Sequence, residues 1–207
     1  MVSDRPAVQV ADPFLASLLE QLAAVLLDAE ELADSLTREQ INWQPRPGRW
    51  SIAQCLDHLT RTASLYPEEI ERMLRESRTR TAAGARPYRE GWIARWVVAG
   101  MEPPPRVRIR TIRQVEPPGD LDPRAVLQDF TAAHRRLREL IIGADGVSLR
   151  HARMRSPFAR AIRFTLGQVF AVIVAHARRH LWQARQVRQD VAFPKSPTRV
   201  ATAEPQH

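Results

Sequence analysis

Cysteine is nearly absent: Cys55 stands alone among 207 residues, so no internal disulfide can form and a reducing, cytoplasmic setting is expected. Long hydrophobic runs are missing as well. The longest, residues 169–175, falls far short of the roughly 20 residues a bilayer crossing needs, so no membrane span is expected. The opening "MVSDRPAVQVADPF" lacks a basic segment followed by an apolar one, which argues against a secretory signal. Strand-like alternation is confined to "RVRIRTIRQV", which has no partner segment and reads as extended chain. Lysine is as scarce as cysteine, with Lys195 the only one.

That last scarcity bears on the charge. A net charge of +8 and a pI near 11.1 invite a nucleic-acid reading. Nearly all of the positive charge is arginine, however, a bias that genome composition produces as readily as selection for phosphate. The charge is also uneven: residues 1–40 carry eight acids against Arg5 and Arg38, whereas 150–189 carry nine arginines and no acid. An acidic first helix laid against the basic last third would neutralise it within the molecule, so a nucleic-acid surface is the less favoured reading.

What is present describes a soluble single domain, with 44% hydrophobic and 26% charged residues. Asp12-Pro13 opens a helix with a side-chain acceptor at the N-cap and proline at the first helical position. Leu15, Leu18, Leu22, Leu26, Ala29, Leu32 and Leu36 then recur at helical spacing as one apolar stripe. Pro45, Pro47 and Gly48 interrupt it, and a second helix starts at Ser51, where Ser51 and Gln54 have capping-box spacing. Its stripe runs from Ile52 to Leu74, with Pro67 inside it to bend or split the helix.

Between about residues 79 and 121, prolines and glycines break the pattern, leaving a long connection with one short helix over "REGWIARWVVAG". Asp122-Pro123 opens the third helix, and Thr165 with Gln168 caps the fourth, which runs to about Gln189. Four amphipathic segments, no convincing strand and one crossover predict an all-α four-helix bundle. A long irregular connection joins helices 2 and 3; the bundle spans 1–190, and a disordered tail follows at 191–207.

The chemistry lies in the histidines. His176 and His180, four apart on the last helix, project from one face, and Gln183 shares their stripe. They sit on a shoulder of that helix's apolar arc, and His58 occupies a comparable shoulder of the second helix. Two matched shoulders imply a shared pocket between helices. Three neutral imidazoles with one open position suit a catalytic divalent ion, zinc or nickel before manganese or iron. HxxxH alone is a weak signal, and Ala177 stands where a zinc protease would carry its glutamate.

Other polar residues divide between site and scaffold. Cys55 is either a fourth ligand or a small buried residue, the latter preferred. His134 either faces the same cavity or sits at a core edge with a local partner, again the latter preferred. Asp57 points away from His58, and His151 and His207 are incidental. Trp43 and Trp50 are read as packing the Pro-Gly loop onto the bundle, with substrate stacking as the less favoured alternative. Trp92 and Trp96 are read as covering the core, with a pocket lid as the alternative.

Read together, the segments change the weight of the histidines. "NWQPRPGRWSIAQCLDHLTRT" resembles the opening signature of the DinB/YfiT-like superfamily: a Pro-Gly turn, Trp-Ser-Ile, then His58-Leu59. "AHARRHLWQARQVR" resembles its closing signature, HxxxH followed by a glutamine. The resemblance implies a four-helix bundle in which His58, His176 and His180 bind a metal. It also implies a metal-dependent transferase or isomerase using a low-molecular-weight thiol, and frequent homodimers. In the thiol reading Arg179, or another arginine of the basic third, holds a substrate carboxylate; residue chemistry adds a hydrolase as the other enzymatic reading, with Gln183 orienting water. A small-molecule substrate is expected. A catalytically idle binding or dimerisation module is the alternative.

Overall fold

A computed structural model of the chain describes residues 10–80, 88–89, 91–104, 113–151, 153–158 and 162–195. Its frame is four helices: α1 (Pro13–Ala33), α3 (Ile52–Ala63), α6 (Pro123–Gly143) and α7 (Leu166–Arg188). They start in two different ways. Asp12 accepts from the Phe14 amide at 2.8 Å and Asp122 from the Arg124 and Ala125 amides at 3.0 and 2.9 Å, each with proline at the start of the helix. Ser51 with Gln54, and Thr165 with Gln168, form complete capping boxes at α3 and α7.

Packing places the four in a ring. α1 lies against α6 and α7, and α3 lies against the same two, so the consecutive long helices α1 and α3 sit on a diagonal. Leu15, Leu22, Leu56, Phe130, Ile141 and Phe170 fill the interior and are fully buried. Pro67 splits the second segment as its ring requires, opening α4 (Pro67–Arg80) after α3 ends at Ala63. The first helix stops at Ala33, short of Leu36, where Ser35 adopts a left-handed φ of 57°.

Smaller elements dress this frame. α2 (Arg38–Asn42) carries its own capping box at Thr37 and Gln40, and α5 (Trp92–Met101) packs on α7 where the short helix of the connection was expected. A 3-10 turn, Arg113–Val115, follows; the rest of the alternating "RVRIRTIRQV" segment lies outside the described residues. Two strands were not foreseen. β1 (Arg153–Arg155) pairs antiparallel with β2 (Arg163–Thr165), which runs straight into the cap of α7. Three residues per strand, with only Met154 buried, give too short an alternation to read.

Residues 191–195 of the expected tail are described. The Phe193 ring meets Trp43 edge-on at 5.6 Å, and the Pro194 carbonyl accepts from Gln40 at 2.8 Å, so residues 193–194 are docked on the bundle; residues past 195 lie outside the described residues. Among the described residues one ion pair, Arg185 with Asp28, joins the acidic first helix to the basic last third. Arg178 bonds Glu102 and Gln21, and Arg188 donates to the Glu31 and Leu32 carbonyls at 2.6 and 2.7 Å. The last two bonds satisfy carbonyls that the end of α1 leaves without helical partners. Among the described residues no helix is long and apolar enough to cross a membrane.

Candidate metal centre

α3 and α7 are neighbours in the ring, and their histidine shoulders meet. His58 is 4% exposed, His180 is 9% exposed, and His176 is partly buried. Their ring centroids lie 4.6 to 5.2 Å apart, and one nitrogen from each falls within 4.8 Å of the others. His58 Nε2 stands 3.4 Å from His176 Nε2. Two nitrogens sharing a tetrahedral ion at ordinary bond lengths would be about 3.3 Å apart. That pair therefore already has the separation an ion requires.

Tautomers point the same way. His58 Nδ1 is 2.9 Å from the Val115 carbonyl oxygen, which can only accept, so Nδ1 carries the proton and Nε2 presents its lone pair toward His176. Ligating histidines ordinarily use their second nitrogen in this way. His180 Nδ1 is buried without a hydrogen-bond partner, a costly arrangement for a polar atom that a bound cation relieves. The donor set fits a divalent ion.

Electrostatics keep all three rings neutral. Burial lowers the pKa of His58, against smaller upward pulls from the Val115 bond and Asp57. Burial, then the His58, Arg179 and His134 charges, push His176 down to about 3. His180 is held well below the ordinary histidine range by burial, His176, His58 and Arg179, with the Gln183 side chain opposing. A neutral imidazole is the form that binds metal.

Comparison with known proteins adds the family. Residues 21–184 match the sequence model of the DinB superfamily. The chain belongs to the DinB superfamily. No curated protein matches its sequence. Among solved structures it is similar to YfiT from Bacillus subtilis, at 17% identity and a TM-score of 0.56, covering 89% of this chain and 91% of that one. YfiT is described as a probable metal-dependent hydrolase with an unusual four-helix bundle topology. At this identity the likeness establishes the shared bundle fold.

Around the centre of this DinB-superfamily chain, two contributors escaped the sequence. The Val115 carbonyl comes from the 3-10 turn of the connection, and a backbone acceptor leaves no residue-type signature. Trp50 stacks over the site, its centroid 4.7 Å from His58 and 5.5 Å from His180, so its role exceeds loop packing. Its position directly before the Ser51 cap was the available clue. Trp43 packs on Phe193 instead. Trp96 is 76% exposed and does not cover the core, while the Trp92 side chain lies outside the described residues.

The remaining candidates sort plainly. Cys55 is fully buried in the apolar core, its thiol pushed up to about 12 by burial against a small opposing effect of Arg49. It does not join the imidazoles as a fourth ligand: three residues is about 60° short of a full helical turn, enough to swing it inward. Asp57 pairs with Arg61. Arg179 acts on both His176 and His180, and its own pKa is lowered by burial. His151 is exposed, and His207 lies outside the described residues.

Proposed function

We propose that this chain is a metal-dependent enzyme acting on a small electrophilic substrate, as a hydrolase or as a transferase of a low-molecular-weight thiol. The observation that carries the reading is the convergence of His58, His176 and His180, with the Nε2 of His58 set free by its bond to Val115. Those three residues would hold a divalent ion, zinc or nickel by the all-nitrogen donor set, which would supply a nucleophile at neutral pH by acidifying water or a thiol.

The chain's own groups supply the rest. Val115 fixes the His58 ring, and a hydrogen bond from the Gln183 side chain raises the pKa of His180 against the lowering by burial. Trp50 closes one face of the imidazoles against water. Arg179, charged and close to His176 and His180, offers a place for a carboxylate or developing oxyanion.

Elemental analysis of protein purified without chelator, beside His180→Ala, tests the first step: wild type carries about one transition-metal ion per chain and the variant loses it. Turnover of p-nitrophenyl esters, against turnover of 1-chloro-2,4-dinitrobenzene with added thiols, separates hydrolase from transferase. Equal, negligible metal in both proteins after reconstitution with zinc and nickel would end the reading. One observation favours an idle binding module: among the described residues no carboxylate joins the three imidazoles. Metal binding with no turnover of either substrate class would select that module. Nucleic-acid binding is disfavoured by the pairing of Arg178, Arg185 and Arg188 within the bundle.

A further inference from the structure

α6 brings a fourth imidazole to the interior, one that the metal reading leaves unused. His134 is 1% exposed. Its Nδ1 lies 2.8 Å from the Phe130 carbonyl, one turn back on the same helix, and its ring stacks on Phe130 at 4.0 Å and 28°. A carbonyl only accepts, so Nδ1 carries the proton and Nε2 holds a lone pair. That Nε2 is buried with no hydrogen-bond partner. His58 shows the same arrangement, with Nδ1 spent on a backbone carbonyl and Nε2 left for something else.

Three features locate the purpose of the free nitrogen. The ring is fixed at both ends, by the Phe130 carbonyl and the Phe130 ring, so its direction is set before any ligand arrives. It shares the bundle interior with the centre: α6 packs on α3, which bears His58, and a charge on His134 acts on His176. It is not one of the three converging donors, so it is not placed as a ligand to the ion. An apolar residue would fill this position without leaving a buried acceptor unpaired.

We propose that His134 Nε2 is a hydrogen-bond acceptor for the nucleophile, orienting a water or hydroxide at the open position of the three-histidine centre. The inference rests on the metal reading and supplies the polar partner that reading lacks. Burial holds the His134 pKa down to about 4, so at neutral pH the ring is an acceptor and not a cation. The bond would run from the O–H of that water or hydroxide to the ring; a thiol held by the ion would be deprotonated and have no S–H to donate. Only orientation is asked of it, and no covalent bond or electron changes hands.

The test is nitrogen NMR of histidine-labelled protein, metal-free, with one equivalent of zinc, and with zinc plus 2-mercaptoethanol. Zinc is expected to shift one ring nitrogen each of His58, His176 and His180, and to move His134 Nε2 upfield as it gains a donor, with its Nδ1 proton retained. The thiol, taking the water's place as a thiolate, then removes that donor and moves His134 Nε2 back downfield. His134→Gln and His134→Phe bind zinc within about threefold of wild type, and only the glutamine keeps a nitrogen or oxygen able to meet the nucleophile. If the three donors respond to zinc while His134 Nε2 ignores both zinc and thiol, the proposal is overturned and the metal reading stands. Direct coordination by His134, seen as a large zinc-dependent shift with more than tenfold weaker zinc binding in both variants, also overturns it. Failure of all four rings to respond removes the metal reading together with the proposal.

Discussion

The bundle is made of two unlike halves. α1 and α6, the helices that begin with Asp-Pro, are neighbours, and so are α3 and α7, the helices that begin with capping boxes. The first two contribute an apolar set to the interior, typified by Leu15, Leu22, Val126 and Ile141, with His134 as the exception. Between the second two stand three neutral imidazoles, one with a buried nitrogen that has no partner. One pair earns stability by burying hydrocarbon; the other gives some up to keep lone pairs free. Both capping arrangements anchor their helices well, so the difference lies in which side chains face inward and not in how the helices are held.

The division can be broken from either side. Leu22→Ala, at a fully buried site of the apolar half, is expected to cost about 2–5 kcal/mol in urea denaturation and to leave zinc affinity unchanged within a few-fold. A collapse of zinc affinity in that variant would show that the halves are not separable. His180→Ala reverses the pattern: chelator competition should show zinc affinity lower by more than about a hundredfold, since even outer partners of ligands are worth roughly 10–100-fold. Stability of the metal-free variant should fall by less than that of Leu22→Ala.

Acid sharpens the contrast. Histidines buried as neutral rings bind fewer protons in the folded than in the unfolded chain, so their contribution is complete above the ordinary histidine pKa and is lost as pH falls below it. With His134 pushed down to about 4 and His176 to about 3, metal-free protein should lose stability steadily from pH 6.5 to pH 4, up to about 1.4 kcal/mol per pH unit for each ring. Urea midpoints across that range measure the slope, and His134→Phe should reduce it.

Smaller effects follow. Trp50→Ala uncovers two of the imidazoles, and stopped-flow release of zinc to a chelator should quicken by about tenfold. Asp122→Ala removes an N-cap from the apolar half and should lower stability by about 1 kcal/mol, with zinc release unchanged.

Legibility from sequence followed distance along the chain. The Asp-Pro starts, the capping boxes and the Pro67 break are local, and each appears where the residues required. His176 and His180 were readable as a pair because four residues return a helix to one face. Their meeting with His58, 118 residues away, depended on a matched shoulder and on signature segments in the right order. The Val115 carbonyl, the Trp50 cover and the short β1–β2 pairing gave no comparable pattern. Backbone acceptors and three-residue strands lack a residue code.

By itself, then, the sequence determined where helices begin and break, which face of each is apolar, and which histidines share a face. Those outcomes follow from hydrogen bonds and rotations within a few residues. Only the tertiary structure decided that α3 and α7 lie side by side, that the connection returns a carbonyl to His58, and that Trp50 lies over the rings. Such contacts are set by how four separate helices fill one interior, a condition that no single stretch of chain contains.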